Sequence, residues 1–195
     1  ERDQLEAGAA RHREQSEWRP KIRLWLGWLN GRDARRQGEA LAKFRDLRDA
    51  DAVPAITDFM AKDSNLEVRR LAVQILGQIE GSMPVSPLTR LALADADHDL
   101  RERAFDAIPK DQRDMATSMI ERALKDDSNA VVRRAAVLLA RIGSRRSIPV
   151  LVEALVTSHK VRVLVQQGIA TGFNNDGSTG NTSSLPPEII AGALT

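Results

Sequence analysis

From Arg32 to about Thr157 the apolar residues fall in short blocks separated by polar turns, and the blocks repeat. Ala40, Ala72, Ala104 and Ala136 stand at steps of 32 residues. Each marks the same place in the second helix of a pair. A small side chain there lets neighbouring helices approach toward the short end of the usual spacing of about 8 to 10 Å. First helices are predicted over Ala52 to Ala61, Pro87 to Ala94, Met115 to Leu124 and Ile148 to Val156. Pro54, Pro87 and Pro149 sit near their first turns, where the missing N–H costs nothing. Second helices are predicted over Leu66 to Ile79, His98 to Ile108 and Ala130 to Ile142, with Ser64 and Glu67 as a capping box at the first. Gly81 and Gly143 close two of the units.

One segment is copied almost outright. Eight of the eleven positions from Asp63 to Val73 recur from Asp127 to Val137, a shift of 64, and Asp95, Leu100, Arg101 and Ala104 supply the same positions halfway between. A fixed period of 32 means stacked supersecondary units, each burying its apolar face against the next.

The ends of the chain depart from this pattern. Residues 1 to 31 read as an N-terminal helical cap: a charged, Ala-rich stretch interrupted or restarted at Pro20, then an apolar helix from Ile22 to Leu29 ended by Asn30-Gly31. Residues 158 to 195 read as an irregular or short β tail. In it Val161, Val163 and Val165 alternate with Arg162, Leu164 and Gln166, which leaves a strand and a fourth second helix both open. Asn174 to Ser184 reads as a loop, and Leu185-Pro186-Pro187-Glu188 as the start of a helix that the chain end cuts off. A start at Glu1 rather than Met predicts a processed or excised piece, so the compartment, cytoplasmic or exported, stays open.

Three copies of one motif carry a resemblance: Asp63 with Val68-Arg69, Asp95 with Leu100-Arg101, and Asp127 with Val132-Arg133. The array over residues 32 to 157 resembles HEAT repeats, in the short bacterial form also seen in phycobilisome lyase-type proteins. In a fourth unit Val161-Arg162 keeps the aliphatic-Arg pair, but Val156 replaces the Asp and Val165 the Ala. The resemblance implies an all-α, right-handed α-solenoid of stacked antiparallel helix pairs that binds other macromolecules, usually proteins. It carries no catalytic residues across.

Composition narrows the chemistry. With 42% hydrophobic, 29% charged and 4% aromatic residues and no Tyr, the chain favours packed helices. The absence of Cys rules out disulfides and thiolate sites. No run approaches the roughly 18 to 20 apolar residues of a membrane span. His12, His98 and His159 lie far apart with no His-Glu pair, so no metal or cofactor is expected; phosphate-loop and nucleophile-elbow motifs are also absent. Lys+Arg 29 against Asp+Glu 27 leaves a net charge of +2, which argues against a nucleic-acid partner.

Three sets of residues are singled out. Asp63, Arg69, Asp95, Arg101, Asp127 and Arg133 are expected to form a structural ladder of ion pairs and cap bonds through the stack. Trp18, Trp25 and Trp28 are expected to cover its open N-terminal end. The polar face of the second helices is the expected binding surface, with Arg70, Glu102 and Arg134 in one column and Gln74, Asp106 and Leu138 in another. Mixed charge with apolar surface there suits a protein or peptide. A nucleic-acid-binding module is the alternative, and a lyase-like accessory protein for a prosthetic group the weaker one. Arg141, Arg145 and Arg146 read as a solvated basic loop.

Overall fold

The computed structural model describes residues 17–155, 171–173 and 179–181. The chain divides into two compact units, Glu1–Leu151 and Val152–Thr195. In the first, every described secondary-structure element is a helix. Helix α1 covers residues 17–29. It is followed by α2 (Ala34–Asp46), α3 (Val53–Phe59), α4 (Leu66–Leu76), α5 (Val85–Ala94), α6 (His98–Asp106), α7 (Arg113–Ala123), α8 (Asn129–Ile142) and α9 (Ile148–Ala154).

The even-numbered helices from α4 to α8 are the second members of pairs α3–α4, α5–α6 and α7–α8, and α4 and α5 pack in turn on α6 and α7. Core positions of the first helices keep the 32-residue step: Ile56, Leu88 and Ile120 form one row and Met60, Ala92 and Leu124 another, none more than 3% exposed. Burial of such side chains stabilises each unit by about 1.5 to 3 kcal/mol per large aliphatic residue.

Helix ends follow local chemistry. Asp33 accepts the N–H groups of Arg35 and Arg36 at α2, and Asp97 that of Leu100 at α6. At α4 the cap is Asn65, which accepts the Glu67 N–H; Ser64 does not cap it as the sequence suggested. Gly143 ends α8 at φ 73°, and Gly81 turns between α4 and α5 at φ 91°. That left-handed backbone is open to glycine at little cost. Pro20 does not interrupt α1, which is helical from 17 to 29 through it. There Ile22 and Leu26 face inward while Leu24 stays exposed.

In the second unit, Thr171–Phe173 pairs antiparallel with Thr179–Asn181, Gly172 opposite Gly180. A strand therefore stands at Thr179–Asn181, inside the predicted loop. The expectations for 161–165, for the charged stretch before residue 17 and for the helix from Leu185 lie outside the described residues.

The repeat register holds a correction to the sequence reading. Ala40, Ala72 and Ala104 are fully buried, but the fourth of the series is Ala135, at 0% exposure, and Ala136 is only half-buried. The slip happens in one turn. Met60 leads to Asp63 and Ala92 to Asp95 in three residues, and each Asp accepts the backbone N–H two residues on, from Asn65 and Asp97. From Leu124 the same bond is made by Asp126, which accepts the Ser128 N–H at 2.8 Å. Asp127 is left exposed. The helix that follows is thereby set back one residue, a rotation of about 100° about its axis relative to α4, the helix it aligns with in sequence. Hence Val73 is 5% exposed while its sequence counterpart Val137 is 57% exposed.

Candidate functional site

The expected ladder forms one rung between units. Arg69 donates from Nε and Nη2 to both carboxylate oxygens of Asp95, at 2.9 and 3.2 Å, and from Nη1 to the carbonyls of Asp63 and Ser64 in its own turn. Arg101 repeats the second half of this arrangement, donating to the carbonyls of Asp95 and Ala96 at 2.8 and 2.9 Å. It makes no ion pair with Asp127, and among the described residues Arg133 has no ion-pair partner. The slipped turn is the reason: Val132 occupies the slot that Arg69 and Arg101 fill, and Arg133 moves to the position equivalent to Arg70, where it is exposed.

The three tryptophans lie on α1, half-buried. Trp25 packs edge-to-face on Phe44 of α2 with centroids 5.5 Å apart, and Trp18 packs likewise on Trp25 at 6.0 Å. Trp28 joins neither pair. Trp18 Nε1 also donates to Asp49, and Arg19 donates to Asp58 at 2.8 Å while stacking on Phe59, so α1 is fastened to the start of the array. The Arg19 hydrogen bond holds the Asp58 carboxyl below the ordinary aspartate range.

Two grooves lie on the second-helix face among the described residues. A groove of about 870 Å³ runs over α2, α4 and α6, lined by Arg45, Arg70, Gln74, Gln78 and Arg103 among apolar side chains such as Leu41 and Leu71. Close approach shapes its floor, where a Cβ on Gly77 would stand 3.0 Å from that of Ala107. A second groove of about 380 Å³ lies between α6 and α8, lined by His98, Arg101, Glu102, Arg133, Arg134 and Val137.

The predicted contact residues fare unequally here. Gln74 is exposed and lines the larger groove. Arg70 lines it too, but pairs with Glu67 at 2.7 Å on its own helix and reaches to 4.0 Å from Asp97. Arg134 donates to the Leu93 carbonyl at 3.0 Å. Leu138 is 4% exposed and belongs to the core; the slip puts Val137 in the column after Gln74 and Asp106. Glu102 and Asp106 are not free acids. Both are held at 2.7 Å by Arg141 of α8, whose guanidinium lies over the Phe105 ring at 4.4 Å. Arg113 covers the same ring at 4.6 Å.

Arg141, expected in a solvated basic loop, is instead the clasp between α6 and α8, and Arg45, Arg103 and Val137, which no motif singles out, line the grooves. Stepping the Arg70 and Gln74 columns with one residue removed after Leu124 would have found Val137. Nothing local marks Arg141, whose partners lie 39 and 35 residues away.

Among the described residues no group of three or more His, Cys, Asp or Glu could hold a metal ion, and no helix is long and apolar enough to cross a membrane. The family model for HEAT repeats matches the chain over residues 22–109 and again over 85–170. No curated protein matches it.

Proposed function

Because the chain belongs to the HEAT-repeat family, we propose that it works as a non-enzymatic scaffold or adaptor that takes up a protein or peptide partner on its second-helix face. HEAT repeats generally serve as protein-interaction scaffolds. The observation that carries the choice of face is the groove of about 870 Å³ across α2, α4 and α6. It spans three successive units, as a segment of chain laid along the stack requires. Its lining mixes apolar side chains with amide and guanidinium groups, the combination that gives a protein interface both an anchor and orientation.

A photo-crosslinking amino acid at Gln74 and at Val137, compared with one at the exposed first-helix residue Met115, tests this. Adducts with one partner from the first two positions and none from the third are expected. Adducts from Met115 alone would place the interface on the other side.

A further inference from the structure

Resting on the second-helix reading above, we propose that the partner segment is acidic and extended, with a carboxylate at about every third residue and apolar side chains between.

The charge on this face is lopsided once the internal pairs are removed. In the larger groove Arg45, Arg70 and Arg103 stand against one acid, Glu67, which Arg70 already holds at 2.7 Å. In the smaller groove Arg101, Arg133 and Arg134 stand against Glu102, which Arg141 holds from outside that lining. Among the described residues no carboxylate lies within ion-pair distance of Arg45, Arg103 or Arg133, and all three are exposed. The Arg101 and Arg134 guanidiniums are met only by backbone carbonyls. Glu67, Glu102 and Asp106 are consumed internally, while among the described residues cations remain unpaired on α2, α6 and α8, and Arg70 of α4 is paired with Glu67.

Two further atoms want partners. Arg70 Nε and Gln78 Oε1 are buried in the lining of the larger groove without a hydrogen-bond partner among the described residues. Leaving such groups buried and unmet is costly, and a small shift of the Arg70 and Gln78 side chains on occupation of the groove would pair them with the C=O and N–H groups of an extended peptide.

Spacing follows from the stack. Neighbouring helices lie about 8 to 10 Å apart and an extended chain rises about 3.3 Å per residue, so a peptide crossing the helices meets one arginine per roughly three residues. A phosphodiester backbone fits less well. It would present charge at every nucleotide, past Glu67, Glu102 and Asp106, and would leave the apolar lining of Leu41, Leu71 and Val137 without use.

The test is a titration of the isotopically labelled chain, followed by amide NMR. Its probes are a twelve-residue peptide of four Glu-Val-Thr units, its Lys-Val-Thr counterpart, a peptide of the same composition with the glutamates in one block, and a twelve-base-pair DNA duplex. Shifts at Leu41, Gln74 and Ala107 with the spaced glutamate peptide, weakened about tenfold by the combined Arg45→Glu and Arg103→Glu substitutions, are expected. Both residues are exposed, and circular dichroism verifies that the variant folds. Equal binding of the lysine peptide on the same residues, or no binding of any peptide, would overturn the acidic partner while leaving the second-helix face standing. Equal binding of the blocked peptide would overturn the spacing. Displacement of the glutamate peptide by DNA at the same concentration would replace it with a nucleic-acid partner. Shifts confined to α3, α5 and α7 would overturn the face itself.

Discussion

Arg69 holds Asp95 through both arms of its guanidinium, across the boundary between α4 and α6 and with the two side chains 15% and 5% exposed. Asp95 is the pivot of that junction, since its carboxylate also accepts the Asp97 N–H that opens α6. Removing one partner strands the other in a poorly hydrated place. Arg69→Ala or Asp95→Ala is expected to cost about 3 kcal/mol, whereas replacing both by well-packed apolar residues should cost much less. Urea denaturation of the two single variants and the double variant measures the difference. A single variant within 0.5 kcal/mol of the parent, an order-of-magnitude threshold for an unimportant surface site, would show that the rung contributes little.

The slipped turn separates two adjacent aspartates that look alike in sequence. Asp126→Ala should lose the Ser128 turn bond and cost about 1 kcal/mol, while Asp127→Ala should fall within about 0.5 kcal/mol of the parent. The same register separates two neighbours on α8. Val137→Asp should fold, and Leu138→Asp should unfold the α7–α8 pair. If the costs within either pair were reversed, α8 would stand in the register of its sequence identity with α4.

These contrasts mark what the sequence discloses and what it hides. Helix limits were legible because prolines, Gly81, Gly143 and the spaced alanines each act through their own backbone or volume; α8 and α9 begin within a residue of their expected starts. The rotation of α8 was not, because Asp126 and Asp127 offer the turn the same carboxylate and the copied Asp-Ser-Asn segment favours the wrong one. Interaction partners were harder still. Of the motif's Asp and Arg residues, Arg69 reaches the next unit's Asp95 and its own turn's carbonyls rather than the Asp63 carboxylate, and Asp127 and Arg133 stand exposed. On the candidate face Gln74 and Arg70 line a groove, while Glu102 and Asp106 are spent on Arg141. A pairing of that kind depends on how far apart α6 and α8 come to rest, which no local pattern encodes.

Arg141 is the residue whose loss should be felt on both helices at once. Arg141→Met keeps the volume of the stem and removes two charged hydrogen bonds and the stacking on Phe105. The cost is expected to be about 1 to 2 kcal/mol, since the pairs are partly exposed and screened. It should shrink as salt is raised. Thermal unfolding of parent and variant at low and high sodium chloride reads this directly; a salt-independent difference would assign the loss to packing.

Asp58 supplies the pH dependence. Its hydrogen bond from Arg19, assisted by Lys62, lowers its folded value against a smaller opposing effect of burial. A depressed folded value means the pair adds stability above the ordinary aspartate range, and that the stability is lost as pH falls through the lowered value. With a carboxylate 39% exposed the contribution to folding is small. Carboxyl NMR should find Asp58 titrating below a typical aspartate, and Arg19→Ala should move it upward. No movement would mean that the α1–α3 strap is open in solution.

The one-residue economy between Leu124 and Ser128 has a practical side for anyone cutting or lengthening this array. A cassette excised between the matching aspartates, Asp63 to Asp127, spans two units plus one residue of surplus. Joined to itself it would carry every added unit about 100° out of phase with the last. Cut instead one residue shorter, over residues 63–125, the 63-residue cassette closes on equivalent turns, and tandem copies of it should extend the array with a single continuous seam of Ala72 and Ala104.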